Sequence, residues 1–241
     1  MSLAPRKAAA LVRDRPWLGP VASLVLPGSG QLLAGHPRGI LYLAAEAWLV
    51  ARAVALRHDS RSEGRFFTDL AYAVARRRYG GASVDGPWSY YEEMGKYVES
   101  GLYDQDPTGV FRPETDTATY NGHIWRLARQ TYLEDPEVVP PPSDPSYRAA
   151  LTFYQGRAVT DAYRWSWRDA RLEQDVYRAS IRASDEAYRA ATNVLGAVLL
   201  NHLVSAVDAF VTMRLGRGGL LPQVHPGPDP DSFRLTWHAA F

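Results

Sequence analysis

The residues best suited to chemistry in this chain lie on one face of its last apolar stretch. Asn201, Ser205, Asp208 and Thr212 follow one another at intervals of four, three and four, so a helix through them stacks all four on one side. Their neighbours are mainly Leu, Val, Ala and Phe. A carboxylate in such a run must face protein or water, because exposing it to an apolar medium is costly. Glu46 is the acid within the other long apolar stretch, and His202 and Arg52 are candidate partners for the two carboxylates. This set would suit an ion or proton path, or a polar ligand pocket. It would equally suit a structural network locking the last helix to the first. Two acids and one histidine do not define a pump, so the structural network is the expected role.

Other motifs fall short of catalysis. Pro27-Gly28-Ser29-Gly30-Gln31 lacks the glycines two residues either side of serine that a nucleophile elbow needs. No Gly-Lys-Ser/Thr follows, so it is not a phosphate-binding P-loop. Its amides would suit an anion nest; the simpler reading is a tight hinge, with Gln31 bonding free backbone groups. Asp104 to Gly109 imitates the start of a calcium loop, but Thr115 stands at the twelfth position in place of Glu and Pro107 sits inside. A solvated turn is expected there. The remaining histidines (36, 58, 123, 225, 238) are too scattered for metal-ligand spacing, and no Ser/His/Asp order stands out. The expectation is therefore no enzyme, no metal and no cofactor.

The elements that must position the polar face begin with residues 17–57, which read as a helical hairpin. The first limb, Trp17 to Leu26, is too short to cross a hydrocarbon core of about 30 Å. Pro27 removes a donor, and Gly28 and Gly30 permit positive φ, so the first helix should stop there; Gly35 extends the hinge. The second limb runs from Gly39 to Leu56. Basic residues flank both limbs: Arg6, Lys7, Arg13 and Arg15 before, Arg57, Arg61 and Arg65 after. That pattern predicts a re-entrant or two-span hairpin with both ends on the cytoplasmic face, retained as an anchor rather than cleaved as a signal.

Residues 60–189 read as a polar helical middle. Helices are expected over Phe66–Tyr79, Trp88–Ser100 and Ala118–Leu133, with Arg76, Arg77 and Arg78 as a solvated helix end. Glu134 to Pro145 holds three consecutive prolines and reads as an extended linker. Ser146 to Arg217 has no proline and is compatible with helix throughout, with residues 190–215 long and apolar enough to span a bilayer. Residues 218–241 read as a loose tail in which Phe233 to Trp237 pairs locally. The whole suggests an all-α fold, a single membrane-associated helical domain over residues 1–217.

Composition narrows the classes further. With 27 basic and 26 acidic residues and a net charge of +1, no field points to nucleic acid. Apolar residues make up 46%, so only part of the chain belongs in a membrane. The 14 Tyr and 7 Trp suit surfaces that are half apolar and half wet, such as packing seams and membrane interfaces. The absence of cysteine excludes disulfides and thiol chemistry.

Leu26-Pro27-Gly28-Ser29-Gly30-Gln31, with Gly35 and Arg38-Gly39, resembles the Pro-Gly-x-Gly-Gln-x-x-x-Gly hairpin of small, uncharacterised bacterial membrane proteins. Asn201 to Ala209 resembles the helix with an Asp-Ala ending that closes a subset of them, though Leu33 replaces an aromatic residue. The resemblance implies association with a bacterial membrane, the inner membrane in particular, and carries over no catalytic residue. Two function classes follow. One is a membrane-associated structural or interaction protein of the envelope, with the bilayer, a protein partner or a second copy as its contacts. The other is a soluble or peripheral helical protein that binds a small amphipathic ligand.

Overall fold

The computed structural model describes residues 15–79, 85–217, 223–226 and 233–236. The fold is all-helical: α1 (Leu18–Val25), α2 (Ser29–Leu33), α3 (Gly39–Leu70), α4 (Trp88–Lys96), α5 (Tyr120–Tyr132), α6 (Pro145–Gln155) and α7 (Arg171–Arg217). A short antiparallel ribbon near the C-terminus pairs Gln223–Pro226 with Phe233–Thr236. The chain divides into two compact units. Unit 1 comprises Met1–Arg57 and Tyr188–Phe241; unit 2 is His58–Ala187.

In unit 1, α1 ends where Leu26 turns extended and Pro27 withholds a donor. Gly28 then takes φ of 86°, a left-handed value that a side chain would strain. The hinge is more structured than its composition suggests, because α2 forms inside it. Gly35, at φ 84°, closes α2: its N–H donates to the Leu32 carbonyl while the His36 N–H reaches back to that of Gln31. Gly30 departs from the expected role. It is helical, and what it supplies is closeness, since a Cβ there would collide with the Gly19 carbonyl of α1.

The hairpin also runs differently from expectation. Along α7, Arg38 meets Thr212, Glu46 meets His202, and Arg57 stacks on Tyr188 at 4.7 Å, so α3 is antiparallel to α7. Gly19 faces Met213 and the Leu24 carbonyl faces His202, so α1 is antiparallel to α7 as well. α1 and α3 are therefore parallel. The chain goes down through α1, back through α2, and down again through α3. Arg15, just before α1, and Arg57 consequently lie at opposite ends of unit 1.

Unit 2 is built on aromatic side chains. Phe67, Tyr90, Tyr91, Met94, Trp165, Trp167 and Tyr177 form one buried cluster; Ile124, Trp125, Leu133, Tyr147 and Tyr154 form a second. The residues expected to be helical around Tyr163 instead break into a turn and an extended strand-like stretch. Trp165, Ser166 and Trp167 are all buried there. Their backbone bonds go sideways: the Ser166 N–H to the Ala75 carbonyl and the Trp167 N–H to that of Val98. Burying two indoles from one short segment outweighs local helix preference. α7 caps α4 in return. The carbonyls of Met94, Gly95 and Tyr97 accept from the Gln174 amide, and those of Met94 and Gly95 also take the Trp167 indole N–H and Arg178.

Two further expectations change. α3 continues past Leu70 through a wide π turn and a 3₁₀ turn to Tyr79. Of the three arginines there, Arg76 is not solvated; it is 5% exposed, packed against the rings of Tyr72, Tyr90 and Tyr163. The proline-rich stretch after Leu133 joins α5 to α6, which pack on each other through Trp125 and Tyr147. It is a loop between packed helices rather than a spacer between domains.

Trp167→Ala should destabilise unit 2 by about 3–5 kcal/mol, because it removes a fully buried indole and its bond to Met94. Loss of near-ultraviolet circular dichroism at lower denaturant is the measurement. A pH effect follows from three phenols. Burial pushes Tyr90, Tyr154 and Tyr177 well above the usual tyrosine range. A folded-state value above the unfolded one means their contribution is complete below pH about 10 and is lost as pH rises further. Ultraviolet titration should show three tyrosines that ionise only as unit 2 unfolds.

Candidate functional site

The polar residues of unit 1 converge on the turn between α1 and α2. Gln31 is fully buried at the centre. Its Oε1 accepts from the Ser23 hydroxyl at 3.0 Å, and its Nε2 donates to the Ser205 carbonyl and to Asp208 Oδ2, both at 2.8 Å. The Gly28 N–H donates to Ser205 Oγ at 2.6 Å, and the Gly30 N–H to Ser23 Oγ at 3.0 Å. Serine hydroxyls thus occupy both amides that an anion nest would have used. Pro27 is buried beside them.

Outward from Gln31, the Asp208 carboxylate meets Arg38 Nη2 at 3.1 Å, and Arg38 also bonds Thr212 Oγ1. Thr212 donates back along α7 to the Asp208 carbonyl. The side chain of Arg38 is half exposed, so this ion pair adds little by itself and serves mainly to orient Asp208.

A second cluster lies one to two turns along α7. Asn201 Nδ2 donates to the Tyr42 carbonyl at 3.1 Å and to Glu46 Oε2 at 3.0 Å. Glu46 Oε1 lies 3.1 Å from His202 Nε2, while His202 Nδ1 lies 2.6 Å from the Leu24 carbonyl oxygen. The structure therefore brings together Gly28, Gly30, Gln31, Glu46, Asn201, His202, Ser205 and Asp208. Gly35 stands apart from the polar contacts and acts through its backbone. Arg52 is exposed and has no place in the network; Arg38 holds the position proposed for it.

Sequence reasoning missed Ser23 and Arg38. Ser23 is a lone hydroxyl in an apolar limb, where serine is unremarkable. Its spacing of eight from Gln31 carries meaning only once α2 folds back on α1. Arg38 was visible beside Gly39, but as part of a hinge rather than as a counter-ion.

The arrangement holds backbone and helices in place. Every polar atom of Gln31 is used for cohesion, and no serine in the network has a histidine base. In unit 2, Asp104 Oδ1 accepts from the amides of Asp106 and Arg112, so the calcium-like stretch is a self-capped turn. Among the described residues no group of three or more acids or histidines could hold a metal.

Comparison with protein families, with characterised proteins and with solved structures gives no match to this chain. Function must be argued from its own geometry.

Gln31→Leu should cost about 1–3 kcal/mol, since it strands Ser23, the Ser205 carbonyl and Asp208 in an apolar setting. Asp208→Leu should cost less, because Gln31 keeps two partners and Arg38 can turn to solvent. Thermal unfolding in detergent micelles measures the order. Gly30→Val should lower folded yield more than Gly35→Val: the first meets the Gly19 carbonyl, while the second meets open space and carries only backbone strain.

Proposed function

We propose that the chain is a membrane-associated structural or interaction protein, with unit 1 embedded in a bilayer of the bacterial envelope. The observation that carries this reading is the inverted polarity of unit 1. Ser23, Gln31 and Ser205 are fully buried, whereas Val25 is 77% exposed, Leu41 71% and Leu199 67%. Water would favour the reverse arrangement. Lipid favours this one, because hydrocarbon cannot satisfy an amide or a carboxylate. Small residues at the helix contacts (Gly19 with Met213, Gly28 with Gly39) fit packing without a hydrophobic drive.

Two helices are long and apolar enough to cross a membrane, Gly39–Tyr79 and Arg171–Arg214. Gly39 to Arg57 supplies about 28 Å of helix at ~1.5 Å per residue, close to a hydrocarbon thickness. In this reading α3 and α7 span, and α1 with α2 forms a re-entrant loop tucked against them. Non-helical backbone at the Leu26–Gly28 turn is then covered by α7 rather than by lipid. The resemblance of residues 26–39 to the hairpin of small bacterial membrane proteins agrees with this arrangement.

The direction of the helices supports one topology. Arg15, Arg38 and Arg214 flank one end of unit 1; residues 58–187 leave from the other, where Arg57 stacks on Tyr188. Charge counted over short flanks, not long domains, orients a membrane protein. In the sequence the first end counts Arg6, Lys7, Arg13, Arg15, Arg38, Arg214 and Arg217 against Arg57, Arg61, Arg65, Arg182 and Arg189 at the other, a small excess. The basic N-terminal segment then lies in the cytoplasm, as does the C-terminal tail, and residues 58–187 lie outside. This reverses the cytoplasmic placement of the middle that an up-and-down hairpin would have implied.

The second reading, a peripheral binder of an amphipathic ligand, draws on one feature. A hollow of about 470 Å³ is lined by Trp17, Pro20, Val21, Phe210, Met213 and Arg214.

Single cysteines at Ser143 and Ser232 of this cysteine-free chain test both readings. With an impermeant thiol reagent on intact cells, Ser143→Cys should be labelled and Ser232→Cys protected until the cells are opened. Alkaline carbonate should leave the protein in the membrane pellet. The opposite labelling would overturn the topology. Release by carbonate would overturn the embedded model and favour the peripheral binder.

A further inference from the structure

His202 has a hydrogen-bond acceptor at each ring nitrogen. Nδ1 faces the carbonyl oxygen of Leu24 at 2.6 Å, and Nε2 faces Glu46 Oε1 at 3.1 Å. A neutral imidazole has one N–H and one lone pair. Set between a carbonyl and an ionised carboxylate, it would point that lone pair at one of them. Both contacts are hydrogen bonds only when the pair holds one further proton. That proton makes either an imidazolium against a carboxylate, or a neutral imidazole accepting from a carboxylic O–H. In both forms Nδ1–H donates to Leu24.

The Leu24 carbonyl lies in the last turn of α1, where carbonyls lack partners within the helix and carry partial negative charge. Glu46 is held in position from its other side, since Oε2 accepts from Asn201. Three elements therefore meet at one proton: α1 through Leu24, α3 through Glu46 and α7 through His202.

We propose that Glu46 and His202 form a proton-dependent clamp on the C-terminal end of α1, closed while the pair keeps its extra proton and open once alkaline pH removes it. The surroundings leave the pair to itself. α1 (Leu18–Val25) and α2 (Ser29–Leu33) contain no titratable side chain. α3 adds Tyr42 near Asp208 and the exposed Arg52; α7 adds Asp208, which is engaged by Arg38 and Gln31. The clamp depends on the packing of unit 1, whatever solvent surrounds that unit.

The clamp is tested by hydrogen–deuterium exchange on the full-length protein in detergent micelles between pH 5 and 9, corrected for chemical exchange. Protection of the α1 amides should fall about tenfold as pH rises, the weight of one charge-assisted bond. Glu46→Gln is the decisive variant. Its carboxamide can accept from Asn201 and donate to Nε2 of a neutral ring, leaving Nδ1–H on Leu24 with no extra proton. α1 should then stay protected at every pH. Wild-type protection that does not change with pH would overturn the clamp, as would a Glu46→Gln protein that keeps the wild-type pH dependence. Should that variant fail to fold, ¹⁵N signals of the wild-type His202 ring decide. The Nε2 signal should shift over the same pH range in which α1 loses protection, whether the ring loses its own proton or the carboxylic O–H that it accepts. An Nε2 signal that stays constant, or one that shifts without any change in exchange, would overturn the proposal.

Discussion

Gln31 has a single carboxamide, and unit 1 is assembled around it. Its oxygen ties down α1 through Ser23, and its nitrogen ties down α7 through the Ser205 carbonyl and Asp208. The same two serines hold the amides of Gly28 and Gly30. Polar groups in an apolar setting are stabilising only when nearly all are paired, and a half-paired set is worse than none. The network therefore acts as a unit that fixes the α1–α2 turn against one particular turn of α7. The glycine contacts serve it, since only at their short separations do the serines and the glutamine reach one another.

The two units solve the same problem with opposite materials. Unit 2 buries large aromatics and lets their few polar atoms cap backbone: the Tyr177 hydroxyl bonds the Tyr91 carbonyl, and the Trp165 and Trp167 indoles bond those of Tyr97 and Met94. Even Arg76 is buried there, because tyrosine faces provide for a guanidinium what water would otherwise supply. Unit 1 buries small and polar residues and turns its large apolar ones outward. A chain that averages 46% apolar overall thus contains two populations that the average conceals.

What could be read in the sequence follows from range. The interval pattern of Asn201, Ser205, Asp208 and Thr212 was legible because helical period alone places residues on a face. The stop at Pro27 and the left-handed Gly28 were legible because their cause is local. The parallel course of α1 and α3 was not, because nothing in residues 17–57 reveals that α2 reverses the chain inside the hinge. The extended stretch at Trp165–Trp167 was missed for the complementary reason. Its helix-compatible composition is overridden by bonds to Ala75 and Val98, far away in the chain. Arg38 became recognisable as the partner of Asp208 only when those two distant positions met.

The separation of those partners bears on synthesis. Gly28 and its acceptor Ser205 are 177 positions apart. At about 5–20 residues per second, the ribosome needs roughly ten to thirty seconds to supply the second after the first. Through that interval Ser23 already holds the Gly30 amide and the Gln31 oxygen, but the Gly28 amide and the Gln31 carboxamide nitrogen wait for α7, while all of residues 58–187 emerges and can fold on its own cores. The last helix to be made is thus the one that completes the first turn, so a nascent chain truncated before Ser205 carries a finished unit 2 and an open unit 1. Such a chain leaves the early hairpin without its long-range partners until translation ends.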